Sequence, residues 1–304
     1  MILLMWFKNL SLFRLAEPLP WTAESLAAQL EPRAFQPCPS YLPRAAGWVP
    51  PLGRKSSDWV HAVAGCLLVC LRTEEKLLPA AVVNQVVAER AALLEEQRQV
   101  PVRRRERQEL REQVVQELLP RALSRSRNSY AYLDLVEGWL VIDSASPRGV
   151  EEITSALREA LGELPIAPLR VQWPVAAVMT AWLAAGTVGE DFSLGDSCEL
   201  RENAEAGGVV RCRGQDLCGD EMRSHLEAGK QVTRLGLRWG ERVALMLDEA
   251  LVVRRLQFLD VLRESLREVE ADSAEAVFDA EFALMSGELR RLLPRLLALF
   301  GGMA

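Results

Sequence analysis

Apolar and polar positions alternate along residues 5–15, MWFKNLSLFRL, and a period of two predicts a strand. Thr22 followed by Ala23 and Glu24 opens a short amphipathic helix that runs to about Leu30. Six prolines, at 32, 37, 39, 43, 50 and 51, dictate loop with extended pieces over 32–53, because proline lacks a donor and steers its predecessor away from helix. Residues 58–72, DWVHAVAGCLLVCLR, are apolar and β-branched enough for one or two buried strands interrupted at Gly65. From Pro79 the period lengthens. Val82, Val83, Val86, Val87, Leu93 and Leu94 recur at helical spacing, and that helix must end before Pro101. A second helix over about 104–119 sets Leu110, Val114, Val115, Leu118 and Leu119 along one face and most of its arginines elsewhere. Together these helices make a hairpin with a basic connection.

Beyond Pro120, YAYLDLV (130–136) and GWLVIDSA (138–145) predict two strands joined by a tight turn at Glu137 and Gly138, with helix resuming over 148–162. The second half continues the mixture: a helix near 173–184, strands near 192–194 and 208–213, and a helix near 219–228 that stops at Gly229. Strands follow at 231–238, 241–247 and 250–257, then helices at 258–269 and 273–299, with Leu262, Leu266, Phe278, Phe282, Leu284 and Leu289 facing a core. The fold class is α+β. A length of 304 residues exceeds one ordinary core, and the pattern divides it into an N-terminal α+β module (1–75), a helical hairpin arm (76–128) and a C-terminal α+β module (129–304).

Composition narrows the class. The hydrophobic share of 49% and the charged share of 26% are those of a folded globular chain. Six cysteines, 38, 66, 70, 198, 212 and 218, are scattered without a CxxC pair and accompany only two histidines, so they are expected as reduced, packed thiols with no metal site. The apolar opening Met-Ile-Leu-Leu-Met-Trp-Phe runs directly into Lys8 without a basic leader or cleavage site and is expected as strand, not signal. No stretch approaches the roughly 20 apolar residues that span a bilayer. A soluble, cytoplasmic protein without a membrane partner is therefore expected. The net charge is −6, but it is segregated: residues 101–127 hold eight Arg against four Glu, whereas residues 241–304 hold eight Arg against twelve acids.

Enzyme signatures are missing. There is no GxxxxGK[ST] cradle, no strand-linked GxGxxG, no GxSxG elbow and no HExxH helix, and His61 and His225 suit structural roles better than a general base. No cofactor is expected. Asp134, Asp143, Asp279 and Glu281 are the candidates for a Mg²⁺-dependent nuclease, but their spacing is unspecific, and acids near a helix start also serve its dipole. The arginine-rich helical arm at 101–127 admits two readings. Its guanidinium groups can contact phosphates, giving salt-dependent affinity without base readout, or Glu106, Glu109 and Glu112 can neutralise them in i, i+3 and i, i+4 pairs on a solvated face. A basic arm could also dock an acidic protein. Two further basic sites favour a nucleic-acid backbone: Arg211 and Arg213 alternate on one strand face with Gln215 next in register, and Lys230, Arg234 and Arg238 recur at spacing four. Aromatic residues do not interleave with them, so stacking on single strands is less supported than duplex binding.

Eight ordered blocks carry a family resemblance: MWFKNL (5–10), GWVPP (47–51), EEKLLP (74–79), LLPRA (118–122), VEGWLVIDSAS (136–146), GGVVR with QDL (207–217), HLEAGKQVTRLGL (225–237) and FDAEFALMSGEL (278–289). In this order they resemble the recombination-associated RdgC family of bacteria. The resemblance implies a horseshoe-shaped α+β protomer that pairs into a closed ring-shaped homodimer, encircles duplex DNA without sequence preference and antagonises RecA on the nucleoid. It carries over Arg121, in LLPRA, and Gln215, in QDL. Leu123 stands where relatives often have an aromatic residue, and as a dimer-interface candidate it supplies an apolar alternative. Gly214 stands where relatives have a basic one. The expected DNA-contacting set is Lys76, Arg103, Arg104, Arg105, Arg121, Arg125, Arg127, Arg211, Arg213, Gln215, Lys230 and Arg234.

Overall fold

The computed structural model describes residues 6–17, 20–53, 56–189, 191–202, 207–262 and 273–304. Its strands make two antiparallel sheets. β1 (Ser11–Leu15), β2 (Arg44–Val49), β3 (His61–Val63), β4 (Cys66–Lys76), β5 (Ser124–Asp134), β6 (Trp139–Ile142) and β7 (Ile166–Pro168) form the first, in the order β2-β4-β5-β6-β1-β7 with β3 also paired to β4. β8 (Phe192–Arg201), β9 (Val209–Arg213), β10 (Gln231–Trp239), β11 (Val243–Asp248) and β12 (Val253–Phe258) form the second, in the order β12-β11-β10-β8-β9. The helices are α1 (Ala23–Leu30), α2 (Ala80–Arg98), α3 (Arg104–Leu118), α4 (Pro147–Leu161), α5 (Val175–Ala185), α6 (Asp220–Glu227) and α7 (Ala274–Ala298).

The continuous apolar run CLLVCL in β4 is explained by a strand buried on both faces. Leu67, Val69 and Leu71 point with Leu133, Leu140 and Ile142 toward α1 and α4, where Leu26, Leu30, Ile153 and Leu157 close a core. Cys66 and Leu68 point the other way with Tyr132 and Val141, into a larger core shared with the inner face of the second sheet and with Phe282, Met285, Leu289 and Leu293 of α7. Leu10 and Val253 exchange backbone hydrogen bonds at 2.8 and 3.0 Å and tie the two sheets together.

Two ion pairs to buried carboxylates fix α7 between the sheets. Arg290 donates to both oxygens of Asp134 at 2.7 and 2.8 Å, and Arg242, in the turn before β11, donates through Nε to Glu288 at 3.0 Å. Asp134 also accepts the N–H groups of Val136 and Glu137, both at 3.0 Å, so the same carboxylate closes the β5–β6 turn. Burial first, and the Asp134 charge second, push the neighbouring Cys66 thiol up to about 12.

Most expected elements are present: Thr22 caps α1 through a reciprocal pair with Ser25, and α2, α3 and α4 fall within two residues of their anticipated spans. Two differences have physical causes. The arm is not helical to residue 127: Arg121 ends a 3-10 turn (Leu119–Arg121), and Arg125 and Arg127 lie on β5. The segment SRSRN lacks apolar alternation and becomes strand because it pairs, residue by residue, with Arg72–Lys76 of β4. β8 runs to Arg201, well past residue 194, because Gly195 and Gly236 let β8 and β10 approach at irregular registers; a Cβ on Gly195 would sit 3.0 Å from the Gly236 carbonyl carbon. Strand β12 extends to Phe258, where a helix was expected to begin. Residues 263–269 of that expected helix, Leu266 among them, lie outside the described residues, as do residues 1–5.

Helices α2 and α3 are inserted between β4 and β5, the longest paired strands, whose ladder runs from Cys66 opposite Asp134 to Lys76 opposite Ser124. The pair carries its own small core of Val83, Val87 and Val114, flanked by Leu110, Val115 and Leu118.

Candidate nucleic-acid interface

Register assembles a basic face on the second sheet. Arg211 stands opposite Glu199, Glu199 opposite Arg234, and Arg234 opposite Asp248, while the intervening Cys212, Cys198, Leu235 and Leu247 are buried. The charged residues therefore share the outer face. By the same alternation Arg213, Arg201, Arg238 and Arg254 lie on it, opposite Ser197, Gln231, Ala244 and Met246 respectively. Six arginines thus face solvent beside two carboxylates.

Glu199, only 5% exposed, is the centre of this face. It accepts from Arg211 Nε at 2.7 Å and Arg234 Nη1 at 3.1 Å, with Arg201 at 4.0 Å. Burial alone would raise its pKa, but the Arg211 hydrogen bond and the charges of Arg234, Arg211 and Arg201 outweigh it and hold the carboxyl below its ordinary range. Asp248 similarly accepts from Arg254 Nε at 2.8 Å. Arg213 and Arg238 are exposed and have no ion-pair partner among the described residues. Gln215 follows in an exposed turn built on left-handed Gly214 (φ 64°), its N–H donating to the Asp196 carbonyl at 3.2 Å. Lys230 is half-buried just before β10.

A second basic group lies where β2, β5 and α4 meet. Arg44, Arg127 and Arg148 converge on Glu152 at 2.7, 3.0 and 3.1 Å, and Arg148 also reaches Glu75 at 3.6 Å. Arg125 stands opposite Glu75 in the ladder and, with Arg44, Arg127, Arg148, Thr73 and Ser146, lines a cavity of about 180 Å³ at the start of α4. Lys76 is half-buried at the end of β4. Arg44 and Arg148 escaped sequence reasoning because one sits in a proline-rich stretch and the other in an otherwise ordinary amphipathic helix; only the tertiary fold brings them to Arg127.

The third group is the arm. Arg103 caps α3, and its N–H donates at 3.0 Å to Glu106, a contact that leads in holding that carboxyl below its ordinary pKa. Glu106 also pairs with Arg98 at 3.1 Å, and Arg105 pairs with Glu109 at 3.2 Å, so part of the arm charge is neutralised locally. Arg104 and Arg121 are exposed without an ion-pair partner among the described residues. Leu123 follows, 77% exposed, and its carbonyl accepts the Leu77 N–H at 2.7 Å. Lys76 N–H donates to the Pro43 carbonyl, so exposed Leu77, Leu123, Leu42 and Tyr41 crowd the same end of the β4–β5 ribbon.

The four acids of the nuclease reading do other work. Asp134 holds Arg290 and a turn, Asp143 accepts the N–H groups of Lys8 and Asn9 at 3.0 and 2.9 Å, Asp279 lies 2.8 Å from His61 Nε2, and Glu281 is buried on α7. Burial raises the pKa of Asp143. Among the described residues no three His, Cys, Asp or Glu side chains are grouped so as to hold a metal ion. Nor is any described helix long and apolar enough to cross a membrane.

Fold and surface together define a two-sheet α+β protein with clusters of cations on a sheet face, a ribbon end and a helical arm. Residues 5–303 match the family model described as "Putative exonuclease, RdgC". The chain is 39% identical to the recombination-associated protein RdgC of Psychromonas ingrahamii over 298 residues, 98% of this chain and 99% of that one. It is 41% identical over 298 residues to the protein of the same name from Halorhodospira halophila, covering 98% of each. The corresponding Aeromonas hydrophila protein is 39% identical, again over 98% of both chains. The chain belongs to the RdgC family.

Proposed function

We propose that this chain binds duplex DNA through its phosphate backbone, without sequence preference and without catalysis, and acts in recombination by limiting the access of RecA to DNA. The observation that carries this reading is the outer face of the second sheet, six arginines against two carboxylates on strands whose other side is core. Guanidinium groups displayed on a sheet reach phosphate oxygens but carry no side chain into a groove, so they position a duplex without reading bases. The relatives' name, recombination-associated protein, supports the same cellular role.

On this reading Arg211, Arg213 and Arg234 contact phosphates directly, with Gln215 and Lys230 at the margin. Arg125, Arg127 and Lys76 extend the contact along the ribbon, and Arg103, Arg104, Arg105 and Arg121 extend it along the arm. The protomer is a horseshoe that pairs into a ring around DNA on the nucleoid, with exposed Leu123 and its apolar neighbours as one contact between copies. Enclosure suits backbone-only recognition, since many modest contacts then act at high effective concentration.

The family description names an exonuclease, and incubation of the purified protein with plasmid and linear duplex in Mg²⁺ separates the two readings. The proposal expects retarded but intact DNA. Shortened strands, lost when Asp134 or Asp143 is replaced by Asn, would establish the nuclease instead.

A further inference from the structure

Helices α2 and α3 enclose a cleft of about 290 Å³ lined by Asn84, Val87 and Ala88 on one side and by Arg104, Arg107, Gln108 and Arg111 on the other. Among the described residues no carboxylate lines it. On α3 the arginines stand at i, i+3 and i+7, one face of the helix, whereas Glu106, Glu109 and Glu117 fall on the far side. Those acids are engaged there: Glu106 with Arg98, Glu109 with Arg105 and Glu117 with Arg90. Glu112 accepts from the amide of the cleft-lining Gln108 at 3.1 Å without itself lining the cleft. Arg104 and Arg107 have no ion-pair partner among the described residues, and Arg111 spends a hydrogen bond on the neutral Asn84. No ion pair compensates the three among the described residues.

The placement also opposes the helix dipole. Cations are favoured at a helix C-terminus, yet Arg104 and Arg107 occupy the first turn of α3, where its free N–H groups already make the field positive. A chain that crowds cations against its own dipole, keeps the available glutamates off that face and leaves a cavity between the helices is organised for an anion.

We propose that this cleft is a phosphate-binding site that holds a run of duplex DNA phosphates through Arg104, Arg107 and Arg111. The inference rests on the DNA-binding reading and extends the arm's contact from Arg104 along α3 to Arg107 and Arg111. Three guanidinium groups spread over about 10 Å of helix suit a repeating polyanion better than one small ion.

The test compares the full-length protein with Arg107→Gln/Arg111→Gln and with the control Arg33→Gln/Arg158→Gln, two exposed arginines outside all the basic groups above, using fluorescence anisotropy on a 30-base-pair duplex across a salt series. Glutamine keeps helix propensity, and unchanged melting confirms that the arm is folded. The cleft pair is expected to weaken binding about tenfold or more at low salt and to reduce the salt slope by about two, one per lost phosphate contact. The control pair should change affinity less than about threefold, and Arg107→Lys/Arg111→Lys should keep most of the slope because it keeps the charge. Equal losses in both pairs, or none in the cleft pair, overturn the cleft while leaving DNA binding intact. A wild-type protein that fails to bind the duplex overturns both readings. Competition by inorganic pyrophosphate at matched ionic strength, or loss of poly-glutamate binding without loss of duplex binding, would assign the cleft to a small anion or to an acidic protein and likewise overturn the proposal.

Discussion

Replacing Glu199 with Gln should make the protein bind DNA more tightly and melt at lower temperature. Glu199 holds Arg211 and Arg234 at 2.7 and 3.1 Å on the face proposed to meet phosphates, so in the free protein it competes with DNA for both guanidinium groups. These arginines are substantially exposed, and each pair of that kind is worth roughly 0.2–1 kcal/mol. Releasing two of them adds about 0.4–2 kcal/mol to binding, or about 2- to 30-fold in affinity. If both then meet phosphates, the salt slope steepens by up to about two. The cost falls on folding. Because the folded pKa of Glu199 is lowered, its contribution is fully present above the ordinary carboxylate pKa and is lost as pH falls through the lowered folded value. Losing a buried charged acceptor costs about 1–3 kcal/mol, which corresponds to about 2–5 °C of melting temperature for a chain of this length. Anisotropy with a labelled duplex and calorimetry on the same preparations measure both effects. Affinity and salt slope that stay at wild-type values would refute the assignment of Arg211 and Arg234 to phosphate contact, and an unchanged melting temperature would refute the structural weight given to Glu199.

Two other substitutions probe separate parts of the account. Arg290→Met leaves Asp134, 2% exposed, as an unpaired buried charge, so stability at neutral pH should drop by about 3–5 kcal/mol and the melting temperature by about 5–8 °C in calorimetry. Leu123→Glu should leave melting unchanged, since the side chain is exposed, but lower the sedimentation coefficient toward that of a monomer; a dimer of undiminished stability would exclude Leu123 from the interface.

Much of this fold was legible in the chain because local physics and tertiary packing agree. The prolines at 79 and 101 delimit α2, Thr22 and Ser25 announce α1, and the doubly apolar run of β4 declares a strand with core on both sides. The failures are places where the fold decides and the local sequence does not. SRSRN has no strand signal and is strand only because Arg72–Lys76 lies beside it. The irregular crossing at Gly195 and Gly236 hid most of β8, and with it the position of Glu199. The charge of the basic sites could be counted in advance, but its compensation could not. That Glu106 pairs with Arg98 and Glu117 with Arg90 depends on which face of α3 looks at α2, and that Arg44, Arg127 and Arg148 share Glu152 depends on three elements far apart in sequence.

The salt dependence of duplex binding tests the central claim most directly. Anisotropy on three duplexes of equal length and unrelated sequence, each titrated between about 50 and 200 mM salt, should give affinities equal within about threefold and a common loss of about 10³ or more if six or more phosphates are neutralised. Binding that ignores salt, or that favours one sequence by orders of magnitude, would contradict backbone recognition by the arginine face.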